Sequence, residues 1–188
     1  MFDGGNLARE IIQASSRRMR HSQTSKDHNV PALLIRPPGF SVGTCTWIYE
    51  HFLQIIIDLH RLLAVMGNVC NPSTCKTMKV KEAEYMCAAH GKPRNCCAID
   101  YCCHIIEGTR ALLLSEREFP EGVAVSPAKK KIFVLLARRC YRILSHAYFH
   151  HQAMFEGFEH RTGICARFHG LVQEYDLMAS KLLLIPIE

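Results

Sequence analysis

Cys70 and Cys75 bracket the turn sequence Asn71-Pro72-Ser73-Thr74, and His146, His150 and His151 follow much later on one helical run. Thiolate and imidazole together suit zinc, a borderline-soft ion that accepts a tetrahedron of sulfur and nitrogen. Pro72 turns the chain so that two sulfurs from one loop converge, and a helix brings the nitrogens from a distant segment. The candidate ligands are therefore Cys70, Cys75, His146 and one of His150 and His151. His150 is four residues after His146 on the same face, whereas His151 stands about 140° away around a helix of about 3.6 residues per turn. Helical geometry alone chooses His150. Four protein ligands close the coordination sphere, as in structural rather than catalytic zinc. Structural zinc in small peptides is worth roughly 10–16 kcal/mol at neutral pH.

The same run carries Arg138, Arg139 and Arg142, whose three- and four-residue steps let them share a helix face. They form a candidate cationic patch for a partner. Lys129-Lys130-Lys131 reads as solvated charge in the first turn of that helix.

The elements that must position these residues follow from composition and pattern. A chain of 188 residues, 48% of them hydrophobic, can bury one sizeable core. Its formal charge of +6 permits attraction to phosphate, acidic protein or a membrane surface without choosing among them. The ten cysteines include the vicinal pairs Cys96-Cys97 and Cys102-Cys103, unlike a secreted disulfide framework. Met1 to Arg20 has no apolar core and carries Asp3, Arg9 and Glu10, so no signal peptide is expected there. Asp58, His60 and Arg61 break the longest apolar run, which excludes a membrane span. Reduced thiols in a cytoplasmic or nuclear setting are the expectation, with metal as their use.

Residues 1–30 are polar and basic, and read as an arm with a short helix starting near Asn6, supported by Leu7, Ile11 and Ile12. Pro31 to Gly39 reads as a linker. From Thr46 to Met66 the apolar residues recur at helical steps on a face broad enough for a central, buried helix ended by Gly67. Thr77–Val80 and Tyr85–Ala88 could pair as a short hairpin. A helix from Ala98 to about Ser115 turns Ile99, Cys102, Cys103, Ile106, Ala111, Leu113 and Leu114 inward, and Phe119 to Gly122 is a loop. Ser126-Pro127 starts a helix, with serine as cap and proline at the first position, running through Ile132, Leu135, Leu136, Ile143, Leu144 and Ala147 toward Phe155. After Gly157 a last helix buries Ile164, Phe168, Leu171, Val172 and Tyr175, and the apolar tail from Leu182 packs back. By default Cys87, Cys102, Cys103, Cys140 and Cys165 read as buried core thiols. The sum is an all-α domain carrying one irregular cysteine-bearing insert.

Several runs then resemble the Mob family, in its phocein-like branch: Cys70-Asn-Pro-Ser-Thr-Cys75, Met86-Cys-Ala-Ala-His90, Ala98-Ile-Asp-Tyr101 and Ser145-His-Ala-Tyr-Phe-His-His151. Trp47-Ile-Tyr-Glu-His51 and Gln173-Glu-Tyr-Asp-Leu-Met178 fit as well, and the similarity covers roughly residues 31–188 and, more weakly, the stretch around Leu7 to Arg20. The resemblance implies a Mob-type helical bundle with structural zinc on Cys70, Cys75, His146 and His151, so that the helix must bend or end near His151. It implies a non-enzymatic adaptor, with Arg138, Arg139 and Arg142 holding a phosphorylated Ser/Thr peptide, a patch to which Lys92 and Arg94 of the upstream loop are expected to add. Its implied partners are a protein kinase of germinal-centre type and a striatin-like scaffold with protein phosphatase 2A, and its place the cytoplasm, perinuclear or at membranes through those partners.

Two other classes compete. A thiol-dependent redox enzyme using the vicinal cysteines needs an exposed, low-pKa thiolate. A zinc-containing nucleic-acid module fits the positive charge, but its histidines should follow its cysteines at short range.

Overall fold

The structure is a computed structural model that describes residues 4–21, 34, 36–37, 42–120 and 124–187. Six α-helices make up most of the described chain: α1 (Gly4–His21), α2 (Thr44–Met66), α3 (Ala98–Leu113), α4 (Lys130–His150), α5 (Gln152–Thr162) and α6 (Ile164–Glu174). The fold is all-α, and no described helix is long and apolar enough to cross a membrane.

The central position expected of the second helix belongs to α2, which packs against each of the other five. Its face of Ile48, Phe52, Ile55, Leu59, Leu62 and Met66 is buried. Phe52 stacks on Phe133 of α4 with ring centroids 5.6 Å apart. Burying such side chains contributes about 1.5–3 kcal/mol each, which is what holds a helix in the middle of a bundle.

α1 is longer than the short helix expected near Asn6. Ala8, Ile12 and Ser16 are buried, and the Arg9 guanidinium forks onto Glu50 of α2 at 2.9 and 3.1 Å. Its small residues let it lie close without a wide apolar stripe. Most of the expected linker, and residues 22–33 of the basic arm and linker, lie outside the described residues. The Leu34 carbonyl accepts hydrogen bonds from Trp47 Nε1 (2.9 Å) and the Tyr175 hydroxyl (2.7 Å).

A hairpin forms in the insert, but its strands are β1 (Lys79–Val80) and β2 (Ala83–Glu84), rather than reaching from Tyr85 to Ala88. Beyond β2 the chain leaves the ladder, and Cys87 pairs instead with Arg94 in an isolated antiparallel bridge. On α3, Cys102, Ile106 and Leu113 face inward as expected, while Cys103, Ala111 and Leu114 are exposed, and Tyr101, Ile105 and Thr109 take the core positions. Apolar character misplaced these residues by one step around the helix.

Ser126 caps as expected, its hydroxyl accepting from Ala128 N at 3.3 Å, and a 3-10 turn at Pro127–Lys129 leads into α4. Leu135 is exposed, and Phe133 and Cys140 are buried in the face it was expected to share. The run toward Phe155 is not one helix: the backbone breaks at His151, with φ −141° and ψ 46°. The later boundary falls at Gly163 rather than Gly157. Gly163 has φ 56° and ψ 28°, left-handed values that favour glycine, and donates to Glu159 O as it ends α5. In the tail, Ile185 is buried and its N–H donates to the Tyr141 hydroxyl at 2.9 Å, whereas Leu182, Leu184 and Ile187 are exposed.

Candidate metal centre

Cys70 follows the end of α2 by four residues and is tied to it, since its N–H donates to Met66 O at 2.8 Å. Asn71 then organises the turn. Its side-chain oxygen accepts from Ser73 N (2.9 Å) and Thr74 N (3.2 Å), while Cys75 N donates to Asn71 O (2.8 Å). This local side-chain capping shapes the turn between the two sulfurs, and the core buries Cys70.

α4 brings the imidazoles. His146 Nε2 lies 3.5 Å from Cys70 Sγ, and His151 Nε2 lies 3.4 Å from Cys75 Sγ. All four donor atoms fall within 4.8 Å of one another. Tetrahedral zinc with ordinary Zn–S and Zn–N lengths has a sulfur-to-nitrogen edge of about 3.6 Å, so the donor set fits that ion in kind and spacing. His146 Nδ1 is 2.8 Å from Lys79 O. A carbonyl only accepts, so Nδ1 carries the proton and the Nε2 lone pair faces the sulfurs, the outer-shell arrangement usual for a ligating histidine.

His150, which helical geometry chose, is exposed and stacks on His146 at 4.8 Å between centroids, outside the donor set. The break at His151 explains the difference. His151 N still donates to Ala147 O at 2.9 Å, as the last bond of α4. His151 O accepts from Phe155 N at 2.9 Å, the first bond of α5. One residue thus ends one helix and begins another, and its non-helical backbone turns the ring toward Cys75.

Burial sets the proton states. It pushes the Cys70 thiol up to about 12, with Cys75 beside it adding to the rise, and pushes His146 down to about 4. His146 is therefore neutral near pH 7, the form that binds metal. Cys70 keeps its proton unless a cation compensates the thiolate, so metal binding here releases protons.

The arginines lie on the same helix. Arg138 is exposed, and Arg139 and Arg142 are half-buried. Arg142 is held on two sides: its guanidinium sits 4.7 Å from the Tyr85 ring centroid and donates to the Tyr101 hydroxyl at 2.8 Å. None of the three arginines forms an ion pair with a described residue. Lys92 and Arg94 are exposed on the loop after β2.

All ten cysteines are free thiols. The redox reading needs a lowered thiol pKa, and burial first, then Asp100, pushes Cys97 and Cys103 up instead. Sequence reasoning missed a second convergence of donors: Cys87, His90, Cys96 and His104 also lie within 4.8 Å of one another. Cys87 reads as a core thiol in isolation, and only its two-residue spacing from His90 signals otherwise.

Comparison with known proteins places these features in context. The family model described as Mob1/phocein family matches residues 22–186. The MOB-like protein phocein of Caenorhabditis elegans is 38% identical over 166 residues, which cover 88% of this chain and 74% of that protein. The MOB kinase activator-like 4 of Drosophila melanogaster is 39% identical over 160 residues, covering 85% of this chain and 71% of that protein. The MOB kinase activator-like 3 of the same fly is 26% identical over 186 residues, covering 93% and 83%.

Proposed function

The chain belongs to the Mob1/phocein family, and from that premise we propose that it is a non-enzymatic adaptor joining a protein kinase to a striatin-type scaffold with phosphatase 2A. The kinase is of the germinal-centre type, in the cytoplasm. Zinc on Cys70, Cys75, His146 and His151 locks the insert to α4, and Arg138, Arg139 and Arg142 with Lys92 receive a phosphorylated Ser/Thr peptide. A kinase partner is supported by the name of the Drosophila relative, a kinase activator-like protein.

The observation that carries the patch is the fixing of Arg142 by Tyr85 and Tyr101, one helical turn beyond the exposed Arg138. A phosphate brings about −1.5 to −2 charges and three strong acceptors, and guanidinium groups meet it with paired hydrogen bonds. An arginine already immobilised by ring stacking loses less freedom when it binds.

The test is affinity capture with wild-type bait and with Arg138, Arg139 and Arg142 all changed to Glu, followed by mass spectrometry. The expected result is a kinase and a striatin-like scaffold on the wild type, with the kinase lost from the variant. Capture of neither by folded, zinc-loaded bait contradicts the adaptor reading.

A further inference from the structure

α1 and α3 both lie against α2 and leave a strip of it uncovered between them. Tyr49, Leu53, Ile57 and His60 follow one another along that strip at four- and three-residue steps, so they share one line of the helix. From Tyr49 to Arg61 the line is about 18 Å long, at about 1.5 Å per residue. Beside it lies a cavity of about 560 Å³. Small-molecule sites usually measure about 300–1,000 Å³.

The cavity is apolar at depth. Ile12 of α1, Ile56 of α2, and Ile106 and Leu113 of α3 are its buried lining. At its mouth Ile57 and Leu114 leave 43% and 56% of their surface in water, although both border apolar space that nothing fills. A ligand with a hydrocarbon body removes that exposure.

The charged groups of the lining are divided between its ends. At one end the Tyr49 hydroxyl donates to Leu113 O at 2.9 Å, linking α2 to α3. At the same level the Arg9 guanidinium meets both carboxylate oxygens of Glu50, linking α1 to α2. These groups answer one another and close that end. The other charged side chains of the lining are Arg61 and Arg110. Arg61 places one nitrogen, Nη1, on Asp58, a carboxylate that Arg167 and Gln54 already serve. Arg110 forms no ion pair with a described residue.

We propose that this cleft binds one long-chain fatty acid, with its tail along α2 toward Tyr49 and its carboxylate on Arg61 and Arg110. Guanidinium groups meet a carboxylate with paired, charge-assisted hydrogen bonds. The only carboxylate in the lining, Glu50, is already answered by Arg9, so the lining selects an anionic head over a cationic one. The closed end suits a ligand that terminates there. A partner helix laid in by its apolar face needs a trough that continues past its anchors. None of Arg138, Arg139 and Arg142 lines the cleft, so the inference goes beyond the adaptor reading and does not rest on it.

The test is isothermal titration calorimetry of the full chain with laurate, kept below its micelle concentration. Dodecyltrimethylammonium, with the same chain length and the opposite charge, is the control. The expected result is one laurate per chain, with the cationic amphiphile at least about tenfold weaker. Arg110→Glu should weaken laurate at least about tenfold, and Ile57→Trp, which fills the mouth, should abolish binding. Both residues are exposed, so both variants should keep the wild-type Tm. Where a variant does not fold, methyl NMR of the wild type decides. Laurate should shift the Ile57, Ile106 and Leu113 methyl signals and leave those of Leu182 and Leu184 in the tail unmoved. No bound laurate, laurate binding that both variants retain in full, or equal binding of the two amphiphiles would each overturn the proposal. So would a wild-type dimer in sedimentation that Ile57→Trp dissociates, which gives the cleft to a second copy of the chain.

Discussion

Arg167 reaches from α6 to place Nη2 2.6 Å from Asp58 Oδ2 of α2, with both side chains buried. The pair is not isolated. Asp58 also accepts from Gln54 Nε2 (3.1 Å) and Arg61 Nη1 (2.9 Å), and Arg167 Nη1 donates to Ser16 of α1 at 2.8 Å. One buried carboxylate therefore ties α2 to α6, and through Arg167 to α1. In the sequence Asp58 is only the charge that interrupts an apolar run. Changing Arg167→Met should cost about 3–5 kcal/mol, the usual penalty for leaving a buried charge without its partner. Urea denaturation measures it, and a loss below about 1 kcal/mol would mean that Arg61 alone suffices for Asp58.

The two neighbouring histidines should separate cleanly. Reconstituted with Zn²⁺, the His151→Ala protein should fail to hold an ion on Cys70 and Cys75 and the His150→Ala protein should hold one, because only His151 faces Cys75. A loss of about 5 kcal/mol would lower Tm by roughly 10–20 °C at this chain length. Metal analysis alongside thermal unfolding checks both arms, and equal metal loss in the two variants would contradict the assignment.

Tyr101→Phe removes the hydroxyl that accepts from Arg142 while leaving the ring. Phosphopeptide affinity should fall about 3–10-fold, the worth of one hydrogen bond of about 1 kcal/mol or slightly more. Charge reversal at all three arginines should abolish binding, and binding should weaken with salt. Fluorescence anisotropy with a labelled phosphopeptide reads all three effects. An unchanged Tyr101→Phe affinity would show that the arginine needs no such support.

Acid should unfold the protein through histidines remote from both donor sets. Burial first, then Arg167, pushes His51 down to about 3, and burial pushes His169 down to about 4. Between those values and about 6.5 the unfolded chain binds protons that the folded chain does not. Their stabilising contribution is complete above about 6.5 and is lost as pH falls toward 4, on the order of 2–3 kcal/mol for each group. His169→Phe should flatten that slope in chemical denaturation series; an unaltered slope assigns the acid sensitivity elsewhere.

Much of the arrangement was legible because it depends on local pattern. The apolar spacing from Trp47 to Met66 specified the central helix, and Ser126-Pro127 marked the capped turn that leads into α4. Cys70 and Cys75 announced themselves by flanking a proline turn. What escaped reading was tertiary. Gly157 and Gly163 look alike in sequence, and only packing decides which of them takes the left-handed conformation. Cys103 and Cys102 are equally apolar, but one faces outward. Cys87 and His104 are separated by 17 positions across a loop and a helix, so no periodicity links them.

The first donor set also has a history in time. Cys70 and Cys75 each precede their histidine by 76 positions. At about 5–20 residues added per second, the thiols leave the ribosome roughly 4–15 s before the histidines do. During that interval they are unpaired nucleophiles on a nascent chain, open to oxidation or to capture by the wrong metal. The C-terminal half therefore completes a donor set whose sulfurs stand alone until it is made.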